Sequence, residues 1–110
     1  MAIEHGGRTI ETDSEGFLLD QSDWDEQLME EMAAADGLEL TDAHRTVINA
    51  VRDYYQQYAA TPPMRGLIAL LKKKGRAELA SSAALARLFP KGAAKSAARY
   101  AGLPKPARCI

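Results

Sequence analysis

At 110 residues, 46% of them hydrophobic, the chain can fold as one domain around a modest core and is too apolar to be intrinsically disordered. No apolar run approaches the roughly 20 residues that a bilayer span requires, and the opening MAIEHGGRTI lacks the charged-then-apolar pattern of a secretory signal. A single cysteine rules out an intramolecular disulfide and fits a reducing compartment, so the cytoplasm is the expected location. The formal charge of -1 hides an asymmetry: 14 of the 15 acidic residues lie at or before Asp53, and 11 of the 14 basic residues lie after it. Such a split either orients docking on an acidic partner, protein or RNA, or is neutralised within the fold.

The first elements read as strands. Ile3 to His5 and Arg8 to Glu11 flank Gly6-Gly7, a pair suited to the positive φ angles of a tight hairpin. A second turn signal, Asp13-Ser14-Glu15-Gly16, leads into Phe17-Leu18-Leu19. From there the pattern is helical. Ser22 is the expected N-cap of a helix over Asp23 to Ala35, with Trp24, Leu28 and Met32 on one face and Gly37 as its stop. Thr41 is placed to cap a second helix over residues 42–58, whose apolar stripe is Val47, Ile48, Val51, Tyr54, Tyr55 and Tyr58. Thr61-Pro62 signals the start of a third, over residues 62–74, because proline is tolerated in a first turn. It carries Met64, Leu67, Ile68 and Leu71, then ends in Lys72, Lys73 and Lys74, which suit the negative end of a helix dipole. Ser81 or Ser82 begins a short helix closed by Phe89-Pro90, and a last helix over Ala93 to Ala101 stops at Gly102.

The expected architecture is therefore a small, mostly helical α+β domain. A β-hairpin region (residues 1–20) precedes a helical body (22–101), and an extended C-terminal arm (102–110) follows. In the arm, Pro104 and Pro106 prevent helix continuation and favour extended or polyproline geometry. Cys109 stands next to last. A free cysteine is most often a small buried hydrophobe, but one at the end of a proline-stiffened arm is hard to bury. Arg108 beside it favours the thiolate and the terminal carboxylate opposes it. The two histidines, His5 and His44, lie far earlier in the sequence and form no cysteine-hydrolase signature. One cysteine and two scattered histidines show no zinc-ligand spacing, so neither a metal nor a cofactor is expected. Relay of sulfur as a persulfide asks less: the carrier supplies reach, and its partners supply the pockets.

The residues from Leu88 to Ile110, LFPKGAAKSAARYAGLPKPARCI, closely resemble the C-terminus of the TusE/DsrC family, and the likeness runs through IETDSEGFL (Ile10 to Leu18), LTDAHRTVI (Leu40 to Ile48), VRDYYQQY (Val51 to Tyr58) and PPMRGLI (Pro62 to Ile68). DsrC proteins carry a second cysteine eleven residues before the penultimate one; here that position is Ala98, so the pattern is similar to TusE. The resemblance implies that Cys109 bears a persulfide received from a TusBCD/DsrEFH-like donor. It also implies delivery to an MnmA-like tRNA thiolase for 2-thiolation of the wobble uridine, with tRNA met through that acceptor. Carried over by position, Arg65 contacts the folded-back arm or its thiolate, and Gly102, Pro104, Lys105 and Pro106 set the arm's shape. The carrier is expected to be a monomer with no membrane association.

The sequence departs from the family at Arg45, where tryptophan is usual, at Ala69 (lysine), at Ala93 (proline), and over residues 77–86, AELASSAALA, in place of a stretch resembling GNSxYLY. These changes bear on the identity of the partner. Two rival functions stand beside the relay. One is a DsrC-like partner subunit of dissimilatory sulfur metabolism. The other is a helix-turn-helix DNA-binding regulator built on residues 42–58 and 62–74.

Overall fold

The computed structural model describes residues 1–106. Two strands, β1 (Ala2–His5) and β2 (Arg8–Glu11), pair antiparallel with Ile3 opposite Ile10 and His5 opposite Arg8. Gly6 and Gly7 close the hairpin at φ 56° and 78°, the left-handed pair that a two-residue turn requires. The pleat puts Ile3, His5, Arg8 and Ile10 on one face, and Ile10 and His5 are buried there. The chain then turns at Asp13, whose carboxylate accepts the N–H groups of Glu15 and Phe17. It returns to pair Leu18 with Thr12.

Five helices follow: α1 (Glu26–Ala35), α2 (Asp42–Tyr58), α3 (Met64–Lys73), α4 (Ser82–Leu88) and α5 (Ala93–Tyr100). Thr41 caps α2 and Ser81 caps α4, each hydroxyl accepting from the backbone N–H three residues on. Gly37, Gly75 and Gly102 follow α1, α3 and α5 with positive φ, the conformation that lets a chain leave a helix.

Two expected starts are corrected. Ser22 does not cap α1: residues Gln21–Asp23 form a separate 3₁₀ turn, and the first helix begins at Glu26 with the Asp25 carboxylate on the N–H of Leu28. Asp25 outcompetes Ser22 because a carboxylate at an N-cap gains from the helix dipole as well as the hydrogen bond. Nor is Pro62 in the first turn of α3, which begins at Met64 behind Pro63 without a side-chain cap. The residue preceding a proline is pushed out of the helical region, so Pro63 excludes Pro62.

The core is shared by Ile10, Leu28, Val47, Ile48, Val51, Leu67, Leu71, Leu85 and Phe89, all at most 1% exposed. At its centre, α5 packs against α1, α2, α3 and α4. The face it offers is small, with Ala93, Ala97 and Ala98 buried, so neighbouring backbones approach closely. Ala93 and Ala98 thus serve as close-packing positions. The other departures lie outward or in the α3–α4 connection. Arg45 pairs with Glu30 and donates to the Leu40 carbonyl, Ala69 is exposed on α3, and residues 77–86 make a 3₁₀ turn followed by α4.

Candidate functional site: the root of the C-terminal arm

Helix α5 ends where the arm begins, and two side chains from distant parts of the sequence converge there. Trp24 donates its indole N–H to the carbonyl of Tyr100 at 2.7 Å, and Arg52 donates to the carbonyl of Ala101 at 2.9 Å. The last carbonyls of a helix have no partner within it; here side chains supply one. The Arg52 guanidinium lies 3.6 Å from the Trp24 ring centre, a cation–π contact that holds both donors in place. Burial lowers the basicity of Arg52, yet arginine keeps its charge throughout the accessible pH range.

Gly102 turns the chain at φ 72°, and the N–H of Leu103 returns to the Ala98 carbonyl. A Cβ on Gly102 would lie 2.6–2.8 Å from Trp24 side-chain atoms, closer than nonbonded carbons tolerate. Leu103 is 4% exposed and belongs to the core. The arm therefore leaves the body at Pro104, later than its first residue.

Beyond that point two further side chains hold it. Thr61, itself buried, donates its hydroxyl to the Pro104 carbonyl at 2.9 Å. Lys105 donates to Glu15 Oε2 at 2.8 Å, while Lys95 occupies Glu15 Oε1. The two ammonium groups, Lys105 foremost, hold the Glu15 carboxyl down at about 2. The loop carrying Glu15 is seated on α5: a Cβ at Gly16 would meet Arg99 Cδ at 3.3 Å.

Of the residues expected in the site, the structure places Gly102, Pro104, Lys105 and Pro106 at this root. Arg65 is exposed in the first turn of α3, and among the described residues no side-chain hydrogen bond or ion pair engages it. Cys109 and Arg108 lie outside the described residues. Sequence reading missed Trp24, Arg52, Thr61 and Glu15. No local signal marks them, since Trp24 and Tyr100 are 76 residues apart.

Both histidines are committed to the fold. His44 accepts from the Thr41 backbone N–H through Nδ1, and its Nε2 lies 2.7 Å from the Leu88 carbonyl. That pattern suits the neutral ring with its hydrogen on Nε2. His5 sits between Asp25 at Nε2 and Glu31 at Nδ1, both 3.0 Å away. Only the imidazolium can donate to both, and those bonds, Asp25 first, raise its pKa. Among the described residues no cluster of three or more His, Cys, Asp or Glu could hold a metal, and no helix is long and apolar enough to cross a membrane.

The family model for DsrC-like proteins matches residues 4–110. Sulfurtransferase TusE of Pectobacterium atrosepticum is 43% identical over 108 residues, covering 98% of this chain and 99% of the relative. That of Escherichia coli strain K12 is 43% identical over 104 residues, 94% and 95% of the two chains. Among solved structures, DsrC of Allochromatium vinosum superposes with a TM-score of 0.89 at 43% identity over the whole of both chains. The oxidised γ-subunit of the dissimilatory sulfite reductase of Archaeoglobus fulgidus superposes at 0.83 with 36% identity, again over the whole of both. From sequence and fold alike, the chain belongs to the TusE/DsrC family of sulfurtransferases.

Proposed function

We propose that the protein is a sulfur-relay carrier with Cys109 as its working residue. In the first step the Cys109 thiolate attacks the outer sulfur of a persulfide on a TusBCD/DsrEFH-like donor. The donor's S–S bond breaks, its cysteine leaves as thiolate, and Cys109 becomes Cys-S-SH. In the second step an acceptor cysteine thiolate attacks that outer sulfur and Cys109 leaves as thiolate. One sulfane sulfur moves at each step with no net oxidation, so no cofactor is required. The acceptor is an MnmA-like tRNA thiolase, and the product is 2-thiouridine at the wobble position. The carrier acts as a monomer in the cytoplasm and meets tRNA through the acceptor.

The observation that carries this reading is the single cysteine of a chain so similar to TusE sulfurtransferases over nearly its whole length. The position eleven residues earlier is Ala98, fully buried in α5, so no second sulfur can pair with Cys109. Arrangement supports it too. The arm's root is held at Tyr100, Ala101, Pro104 and Lys105 by Trp24, Arg52, Thr61 and Glu15, so the chain leaves the body from a fixed point, which suits delivery of a thiol by proximity to a partner's pocket. Arg65 and Lys105, with Arg108 beside Cys109 in the sequence, are cations suited to orienting encounters with acidic partners.

The γ-subunit likeness favours a second reading, a DsrC-like partner of dissimilatory sulfite reductase. Reconstitution separates the two. Donor, carrier, thiolase and substrate tRNA together should form 2-thiouridine, and Cys109→Ser should abolish it. Stable co-purification with a sulfite reductase, without any thiolation, would instead establish the subunit role.

A further inference from the structure

Helices α2 and α3 each bury one face in the core and leave a groove of about 490 Å³ between their outer faces. Its floor is α3, where Gly66, Ala69 and Leu70 stand at the spacing of one helix face. Its wall is the end of α2, with Tyr54, Gln57 and Tyr58. The small floor residues keep the space open, and Tyr58 stands beside it 53% exposed. An exposed aromatic next to an apolar floor marks a surface that gains by being covered.

Charge indicates what covers it. Lys73 and Lys74 line the groove where α3 ends, and Lys72 adjoins them. Lys72 and Lys73 form no ion pair among the described residues, and Lys74 meets only the exposed Asp53. Among the described residues no carboxylate lines the groove, so its potential is positive and suits an acidic occupant. Nor does the lining include arginine, the side chain best matched to phosphate. Tyr54 and Tyr58 pack on each other with ring centres 4.7 Å apart, which occupies part of the surface on which a nucleobase would stack. An aliphatic floor under ammonium groups therefore fits a protein segment better than a nucleic acid, and a trough between two helices accepts the ridge of a third.

We propose that this groove docks an amphipathic helix of an acidic protein partner. Apolar side chains of that helix fill the space over Gly66, Ala69 and Leu70, and its carboxylates meet Lys72, Lys73 and Lys74. The site lies on the body of the molecule and needs neither Cys109 nor sulfur, so it stands independently of the carrier reading.

The test is a titration of the full-length, nitrogen-15-labelled protein with a synthetic peptide of about 15 residues, a length at which a helix can hold. The peptide carries leucine along one helical face and glutamate along the other. Amide shifts should cluster at residues 54–58 and 66–74, saturate, and weaken as salt rises. Ala69→Lys separates the groove from its charge. It adds a cation, which would strengthen a purely Coulombic attraction, but it fills the floor, so binding should weaken about tenfold. Ala69 is exposed, and unchanged amide shifts outside the groove check the fold. Lys72→Glu/Lys73→Glu should weaken binding by about as much and remove most of its salt dependence. Shifts that are absent or scattered over other surfaces, or equal or tighter binding by Ala69→Lys, would overturn the proposal. So would groove shifts from a single-stranded uridine oligonucleotide and none from the peptide, which would assign the groove to nucleic acid. Groove shifts on dilution of the protein alone would assign it to a second copy of the chain and overturn the proposal equally.

Discussion

At Gly102 a left-handed backbone coincides with a severe steric limit. Gly75, also left-handed at φ 77°, has nothing within 4 Å of where a Cβ would stand, whereas at Gly102 that atom would run into Trp24. Gly75→Ala should therefore cost only the conformational penalty of about 1 kcal/mol. Gly102→Ala adds overpacking against an indole already fixed by two contacts, for a total of about 2–4 kcal/mol. Urea unfolding of the pair isolates the difference. The need for glycine at the end of α5 was legible in the sequence; the indole above it was not, because a contact across 76 residues leaves no local trace. His5 illustrates the same limit. Its folded pKa lies above the ordinary 6.5, so the stability it contributes is complete below 6.5 and declines as pH rises through the higher folded value. His5→Gln should flatten that alkaline slope, and a stability–pH curve from 6 to 9 unchanged by the substitution would contradict the ion-pair role.

At the scale of elements, caps decide boundaries, and here spacing in the sequence succeeded wherever a single candidate stood at the start. Thr41 is such a case; at α4 the sequence offered Ser81 or Ser82, and Ser81 is the cap. Around α1 the segment Asp20 to Asp25 holds several competing caps, and the winner was decided by a carboxylate shared with His5 on the hairpin, a partner no helix pattern reveals. Ser81→Ala should accordingly cost about 1 kcal/mol. Ser22→Ala, which removes only an exposed bond to Asp20, should stay within about 0.5 kcal/mol. Equal losses by thermal unfolding would show that the caps have been misassigned. The helical body as a whole was legible because its apolar stripes keep the helical period. The small face of α5 was less so, since a run rich in alanine carries little hydrophobic contrast until Tyr100 and Phe89 pack beside it.

Over the whole molecule, the division of charge along the sequence resolves partly into the fold. Lys74 meets Asp53, Lys95 and Lys105 meet Glu15, and Arg99 meets Asp36, each joining a base of the second half to an acid of the first. Lys72, Lys73, Arg65, Arg87 and Lys91 form no ion pair among the described residues, so the second half of the sequence keeps an excess of positive charge after folding. Neither function nor partner follows from that balance alone. The carrier role proposed above rests on one atom, the sulfur of Cys109, in a tail whose root is built into the core. Intact mass measured after incubation with a persulfide donor addresses that directly. The unsubstituted protein should gain one sulfur mass and return to its starting mass when an acceptor thiol is added, while Cys109→Ser gains nothing. Equal gain by the serine variant, or no gain by either, would contradict the account.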